Sequence, residues 1–549
     1  MSLTSALTGA GDTPTDQVSK EILINGTALS NEINVIRFSV SKVYNKVATA
    51  KLMIDDGSVA DMDFPQSNSD LFKPGQEIEI RLGYDENPST IFKGIIIRHT
   101  VKIRNGSYLE VEAKDKAIKL TTHRKNKTFV GTGLKDSQVM EEIIGSVVEK
   151  EVEPTTVSHK QLVQYATSDW DFILTRAEAN SMMVLTDDGK LVIKKPEMDQ
   201  DSGLTFAYGG TNNIIEFEAE MDVRHQPNST TSTSWNYLQQ AGIEPITGTS
   251  SFPETGNITS TDLGAVLGAD VELKHSGYIP EPQLRQWADS YALRKNMSKV
   301  YGRLQVSGRP TLKPGHKITL DGVGDRFNGP VLITGVLHQY NGNYLTDIQF
   351  GWSDEWFFQK DDIQEKPAAG LLPGVNGLQI AVVQAIAGDP DQGFRVQVKL
   401  PMVSLSTDGI WARVASVDAG NQRGFLFRPE IGDEVILGFI NDDPRDAVIL
   451  GMLHSQEFPP PITPAEGNPT KGYVSREGMK IVFDDQNKST TITVPVGSKD
   501  ASTLKSITLD QSQIELKDEF DNSIKMDSSG ITISSKLIVT VEGKPINLN

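Results

Sequence analysis

Apolar residues at every second position dominate the chain and reach their most regular form near its C-terminus. Short apolar-x-apolar triplets recur there: Ile492-Thr493-Val494, Ile507-Thr508-Leu509, Ile514-Glu515-Leu516, Ile524-Lys525-Met526, Ile531-Thr532-Ile533 and finally Ile538-Val539-Thr540-Val541. The first residues of the last five fall 7, 10, 7 and 7 apart, with Asp, Ser, Lys and Gly between them. Period-2 patterning means one buried face per strand. Strands of about three to five residues are marginal even as a paired hairpin in water. The pattern therefore predicts an intertwined β-prism in which about three chains supply one another's missing strands, with backbone bonds running between chains. Its core would be Ile507, Leu509, Ile514, Leu516, Ile524, Met526, Ile531 and Ile533. The alternative is an antiparallel meander belonging to an ordinary sandwich.

Upstream the chain is mainly β with a few helices. Residues 1–20 read as a flexible polar arm. Residues 21–125 alternate as strands, punctuated by the turns Lys73-Pro74-Gly75 and Asn105-Gly106, and predict a first small β-barrel. The same grammar returns in 281–364, after a helix over Pro282–Met297. Lys313-Pro314-Gly315 matches Lys73-Pro74-Gly75, and Asn341-Gly342-Asn343-Tyr344-Leu345 matches Asn105-Gly106-Ser107-Tyr108-Leu109. Gly335 follows its turn by 20 residues where Gly94 follows by 19. Three landmarks in order predict an internal duplication. Two similar barrels per chain, tripled by the tail, would give six similar units about one axis.

Between the barrels, 126–225 predicts a mixed α/β insertion. One helix is expected over Asp136–Lys150 with Asp136 as N-cap, and another over Ser168–Asn180 capped by Ser168 or Asp169. Residues 226–280, rich in Ser, Thr, Gly and Asn, predict a polar, loop-rich segment. A linker at 365–375 leads to five strand signals within 376–456, an OB-type barrel. Five prolines stiffen the spacer 457–472, and 473–549 form the tail.

Composition narrows the chemistry. The net charge of −19, tripled in a three-chain assembly, disfavours nucleic acid or an anionic membrane as resting partner. Residues 376–454 carry six Lys and Arg against ten Asp and Glu, the wrong sign for a single-strand-binding OB groove. There is no cysteine, hence no disulfide framework and no thiolate nucleophile or ligand. The first twenty residues lack the basic start and apolar core of a secretory signal. The expectation is synthesis in the bacterial cytoplasm.

The block Gly424–Ser455 resembles the OB domain of VgrG-type spike proteins, with Phe394–Pro401 and Ile410–Ser416 standing where that family has two further strands. Ser168–Asn180 (SDWDFILTRAEAN) resembles a helix of the same family's hub. The duplicated barrels are similar to the baseplate hub of contractile phages, and the Ile-x-Ile tail resembles their triple-stranded β-helix needle. The resemblance implies a homotrimeric spike of a contractile injection system, assembled in a phage-tail-like particle for toxin delivery. Its implied partners are a hexameric inner tube protein, baseplate proteins, effector cargo and a PAAR-like tip protein seated on Pro545, Ile546, Asn547, Leu548 and Asn549. A target membrane would be met only on firing.

The rest of the chemistry argues against an enzyme and against a bound cofactor. The eight histidines show no H-x-H or H-x-x-x-H spacing, and none follows His454. Asp389-Pro390-Asp391 lacks the closing glutamate of a calcium loop. Asp442-Asp443 and Asp484-Asp485 are neighbours, so their carboxylates cannot flank one bond. Trp411, Phe425 and Phe427 are expected in the OB core. The competing reading is a tail-spike enzyme degrading cell-wall or surface polysaccharide. After Tyr473, however, Phe483 and Phe520 are the only aromatics to receive a sugar. A trimeric adhesin would lack the duplicated barrels.

Overall fold

The computed structural model describes residues 17–360, 363, 366–403 and 409–547, so most of the expected N-terminal arm lies outside the described residues. The chain divides into two compact units, 1–365 and 366–549.

In the first unit, six strands build the N-terminal set: β1 (Val18–Ile24), β2 (Val35–Val43), β3 (Thr49–Asp55), β4 (Glu77–Tyr84), β5 (Ser89–Ile103) and β6 (Ser107–Lys114). Six more build a second set: β7 (Asp201–Ala207), β8 (Glu216–Met221), β9 (Val300–Ser307), β10 (Lys317–Asp321), β11 (Gly329–Tyr340) and β12 (Tyr344–Phe350). The first pairs in the order β1-β4-β5-β6-β3-β2, the second in the order β7-β10-β11-β12-β9-β8. Strand for strand, the two orders are the same. Only the outermost pair differs, β1 being antiparallel to β4 and β7 parallel to β10.

Two expectations need correction. The sets are not separate closed barrels: β2 pairs with β11, and both belong to one thirteen-stranded sheet. Each half nevertheless rolls around its own core, one centred on Val40, Leu52, Ile80 and Val111, the other on Leu304, Ile318, Ile333 and Ile348. The second set also takes β7 and β8 from 126–225, ahead of the expected boundary at 281.

The landmarks shift as well. Ile103 pairs with Ser107 across the β5–β6 turn, and Tyr340 with Tyr344 across the β11–β12 turn. Each three-residue loop has a positive-φ residue at its centre, Asn105 at 52° and Gly342 at 99°. The loops repeat one bond, Arg104 N donating to Gly106 O (2.8 Å) and Asn341 N to Asn343 O (3.1 Å). The structural offset is therefore 237, from Ile103 to Tyr340, one more than the sequence match of these turns implies. A one-residue slip would turn every side chain to the other face, and at 237 buried Leu109, Val111 and Ala113 fall on Thr346, Ile348 and Phe350, also buried. The Pro-Gly turns do correspond: Gly75 N donates to Ile96 O and Gly315 N to Ile333 O, both 2.8 Å. Gly94 and Gly335 do not. Gly94 pairs with Ile78 of β4, and a Cβ there would lie 2.3 Å from Lys114 O, whereas Gly335 lies at the joint with β2.

The insertion holds α1 (Asp136–Ile144) and α2 (Asp169–Ala179). Helix α1 is shorter than predicted because Gly145 ends it at φ 53°. Asp136 is its first residue, not its cap. Its buried carboxylate accepts from Arg176 Nε (2.6 Å), Asn180 Nδ2 (2.9 Å) and His159 Nε2 (2.9 Å). Burial pushes that carboxyl up, but these bonds and the Arg176 charge outweigh it and hold it well below the usual carboxylate range. Ser168 caps α2 as expected, its Oγ accepting from Asp171 N (3.1 Å).

The segment 226–280 is not a loop excursion. Strand Ser229–Asn236 pairs in parallel with Asp270–His275, and α3 (Ser260–Leu267) is capped by Thr259. Thr230, Ser232 and Ser234 are its buried side chains. Helix α4 (Glu281–Met297) packs against this strand, and Leu284 O accepts from Ser232 Oγ (2.8 Å). Period-2 burial is present but written in hydroxyls, so hydrophobicity misses it.

The second unit opens with β13 (Gln379–Ala385), β14 (Val396–Lys399), β15 (Ile410–Val414), β16 (Glu434–Phe439) and β17 (Ala447–Met452), a closed five-stranded barrel around Val383, Val398, Ala412, Leu437 and Ile449. Seven strands follow in an antiparallel meander: β18 (Thr470–Val474), β19 (Lys480–Asp484), β20 (Ser489–Pro495), β21 (Leu504–Leu509), β22 (Ile514–Lys517), β23 (Ser523–Asp527) and β24 (Gly530–Ser534). The expected backbone bonds between chains are thus replaced by bonds between consecutive strands of one chain, because the connecting turns are short enough to close as hairpins. Strand β18 begins inside the expected proline-rich linker. Ile538–Val541 forms no strand.

At the β2–β11 joint, His338 lies fully buried and its Nδ1 stands 2.9 Å from Tyr344 Oη. Burial pushes the imidazole down to about 3, the Lys42 charge adding to the shift. A histidine depressed in the fold contributes its full stability above the unfolded pKa of about 6.5 and loses it as pH falls toward the folded value. Acidification from pH 6.5 to 4.5 should therefore cost about 2–3 kcal/mol at this site. His338→Gln should flatten that part of the pH profile of denaturant unfolding; an unchanged slope would refute the assignment.

Candidate functional site

The tail meander has two unlike faces. Its register aligns Tyr473, Ile481, Ile492, Ile507, Leu516, Ile524 and Ile533 in one continuous row across all seven strands. A second row on the same face runs through Phe483, Thr490, Leu509, Ile514, Met526 and Ile531. Alternate positions, including Thr491, Thr508, Glu515, Lys525 and Thr532, lie on the opposite, polar face.

The apolar face is bare. Ile507, Leu509, Ile514, Leu516, Ile524 and Met526 are each 38–43% exposed, and Ile533 and Ile531 at the edge strand reach 58% and 72%. Among the described residues no hydrophobic side chain beyond Ile449 is buried. Ile538 and Val539 stand at the rim of the first row and help bound a trough of about 580 Å³. A contiguous apolar surface of this kind is uncommon on a monomer and marks an interaction site.

All eight residues expected in the needle core thus share one face. The core expected from the sequence begins at Ile507, but Tyr473, Ile481, Phe483 and Ile492 extend the same rows toward the base of the tail, where the unbroken apolar run Ile481-Val482-Phe483 hides the alternation. Phe425 and Phe427, expected in the barrel core, are 55% and 48% exposed. They belong to the loop after β15, outside the barrel. Their rings stack at 5.8 Å, and Phe427 lies 4.9 Å from the Tyr473 ring, with Arg476 and Glu430 paired nearby at 3.1 Å. The apolar rows therefore continue onto the barrel surface.

At the far end, β24 is the terminal strand and Pro545, Ile546 and Asn547 follow as irregular chain, Ile546 being 46% exposed. Leu548 and Asn549 lie outside the described residues.

The carboxylates singled out in the sequence serve turns. Asp389 accepts from Arg395 Nη2 (2.6 Å) and Nε (3.1 Å), and these bonds hold its carboxyl well below the usual range despite some desolvation. Asp443 is clasped by Arg445 (Nε 2.9 Å, Nη2 2.5 Å). Asp484 accepts from Asn487 N (2.9 Å), and Asp485 pairs with Lys471. Among the described residues no three His, Asp or Glu side chains converge as metal ligands, and no helix is long and apolar enough to cross a membrane.

The chain thus runs from a duplicated β-sheet unit through a closed five-stranded barrel to a strand-rich tail. Residues 14–342 match the family described as the Alg8 N-terminal domain, and residues 379–454 match the type VI secretion system/phage-baseplate injector OB domain. The first match spans more than half of the chain, which belongs to that family, and the second makes the chain resemble VgrG-type baseplate spike proteins.

Among curated relatives, the actin cross-linking toxin VgrG1 of Vibrio cholerae serotype O1 is 27% identical over 184 residues, 31% of this chain and 16% of that protein. The type VI secretion system spike protein VgrG2a of Pseudomonas aeruginosa is 32% identical over 174 residues, 28% of this chain and 20% of that protein. The chain spans a quarter or less of the length of the curated relatives it matches. Among solved structures, the E. coli c3393 protein, a component of the type VI secretion system, is similar with a TM-score of 0.37 and 15% identity, covering 79% of this chain and 99% of that one.

Since Arg395 already occupies Asp389 and Asp391, a millimolar excess of calcium should leave the melting temperature of the protein unchanged. A clear calcium-dependent rise, lost in Asp389→Asn, would show that the loop does take the ion.

Proposed function

We propose that this chain is the trimeric central spike of a contractile injection system. It would adapt a threefold needle to a hexameric inner tube and puncture the target envelope when the sheath contracts. The observation that carries this reading is the bare apolar face of the tail. A sheet with one continuous apolar face, and among the described residues no helix or second sheet to cover it, is relieved by identical copies. Three meanders turned inward make a three-sided prism with a dry axis and a polar exterior. With each chain's ladder closed within itself, the needle is a threefold prism of three sheets in place of the expected intertwined strands. Its three faces hold together through side chains.

The duplicated hub supports the other end of the task. Two equivalent strand sets per chain become six in a trimer, which matches a sixfold ring of tube protein through a threefold spike. At the tip, the edge of β24, unpaired among the described residues, and the apolar Ile546 call for a cap. A PAAR-like tip protein seated on Pro545, Ile546, Asn547, Leu548 and Asn549 fits that need, with effector cargo carried by the cap or in the tube. Baseplate proteins would surround the hub. The role is mechanical, not enzymatic: of the carboxylates singled out as candidates, Asp389, Asp443, Asp484 and Asp485 are tied to arginine, lysine or turn amides. Assembly into a phage-tail-like particle completes the reading.

The mass of the native full-length protein should be that of three chains, and a truncation ending at Pro464 should fall toward monomer. Leu516→Glu, which places a charge in the middle of the first apolar row, should dissociate the needle while leaving β-sheet content nearly unchanged. A full-length monomer would overturn the reading. Removing residues 535–549 should abolish capture of a PAAR-type protein yet keep the trimer; retained capture would move the tip site elsewhere.

A further inference from the structure

The internal duplication leaves one joint unmade. Within the chain, β2 lies against the C-terminal half of β11, from Val43 opposite Gly335 to Phe38 opposite Tyr340. The duplication carries β2 onto β8 and β11 onto β5. A counterpart joint would therefore lay β8 against the C-terminal half of β5. Among the described residues it does not exist. Strand β8 pairs only with β9, and beyond Ile96 β5 pairs only with β6, because β4 covers just its first half. Both edges are open, and six strands separate β8 from β5 in the sheet order.

The register of the missing joint follows from ladders already in place. The offset of 237 carries Gly335–Tyr340 onto Arg98–Ile103. Tracing β12–β9–β8 against β6–β3–β2 carries Phe38–Val43 onto Phe217–Asp222. On the core side this sets Ile103 opposite Phe217, Val101 opposite Ala219 and His99 opposite Met221. On the other side it sets Lys102 opposite Glu218, Thr100 opposite Glu220 and Arg98 opposite Asp222. One step further, Arg104 meets Glu216. The alignment was fixed by backbone pairing alone, yet each basic residue of the β5 edge, Arg98, Lys102 and Arg104, falls opposite an acid of β8, while Glu220 faces the neutral Thr100.

The apolar side agrees. In the existing joint the corresponding pair, Phe38 and Tyr340, stacks at 5.1 Å. Of its counterparts, Phe217 already stacks on Phe350 at 6.2 Å, but Ile103 is 77% exposed, and Val101 on the same side is 41% exposed. Arg98 and Lys102 now rest on Glu110 and Glu112 of the neighbouring β6, and Glu218 on Arg303 of β9. A strand added between them would continue that alternation of charge across the sheet.

We propose that β8 of one copy adds as an antiparallel strand to Arg98–Ile103 of β5 in a second copy of this chain. The contact is head-to-tail, so it closes into a ring or runs on as a filament. Three copies, the number the tail calls for, would close it, with six rolled half-sheets joined alternately within and between chains. The inference rests on the three-chain reading above and deepens it by naming the strands and their register.

The chain has no cysteine, so an introduced pair reports directly. With the native mass of the unaltered protein read first, Thr100→Cys and Glu220→Cys are made together in the full-length chain and oxidised. Covalent two- and three-chain species should account for most of the protein. Each single variant alone should give none, and the two singles co-expressed should give two-chain species only. Moving one cysteine out of register, Thr100→Cys with Glu218→Cys, should cut the yield several-fold. As an independent check, Glu218→Lys should raise the dissociation constant of the assembly at least tenfold, and Lys102→Glu in the same chain should restore it. A native trimer whose Thr100/Glu220 pair stays uncrosslinked, and in which Glu218→Lys has no effect, would overturn the joint while leaving the trimer intact. An unaltered chain that is monomeric would overturn both.

Discussion

Everything distinctive about the C-terminal unit depends on one constraint: a β-strand shows alternate residues to opposite sides, and this tail makes one of those sides apolar over seven consecutive strands. Hairpin closure satisfies the backbone locally, so every interior strand has both edges paired. It does nothing for the side chains. Tyr473, Ile481, Ile492, Ile507, Leu516, Ile524 and Ile533 line up across the ladder and face solvent in a single chain. The hydrophobic effect is indifferent to which chain supplies the cover.

The N-terminal unit meets a related constraint differently. Each rolled half-sheet has enough chain to enclose a core, and its difficulty is edges. Pairing β2 with β11 fastens the halves by main-chain bonds and buries His338, Val40 and Thr346 at the seam. Lys42, itself buried, reaches Asp188 at 2.6 Å, and Asp187 is held by Lys313 at 2.9 Å. That charge cluster ties β2 and the turn before β10 to the insertion. Duplication then determines what is left over, since a unit copied once and joined once has one donor edge and one acceptor edge remaining.

Three strongly shifted carboxylates serve the structure. Asp136, Asp389 and Asp443 are strongly perturbed groups of the kind that mark active sites. Each is accounted for by an arginine that it fastens. Asp136 locks α1 to α2, while Asp389 and Asp443 close surface turns of the OB barrel. Such carboxylates would be poor acids or bases at neutral pH, because deprotonation is favoured by partners that stay charged.

The alternation of residues by itself determined the β class, the apolar face of the tail, the five barrel strands, the cap of α2 and the existence of a repeat, because period, turn residues and caps are local. Tertiary structure decided the rest. Asp136 became a buried hub because Arg176, 40 residues on, reaches it. Residues 226–280 became a sheet because α4 covers its buried hydroxyls. Phe425 and Phe427 left the core because the barrel closes without them. The repeat kept its strand order but moved by one residue, a difference that sequence identity in a turn cannot register and the facing of side chains must. Whether two barrels stay apart or share a sheet depends on long-range edge pairing, and no short stretch of sequence encodes which edge a strand will meet.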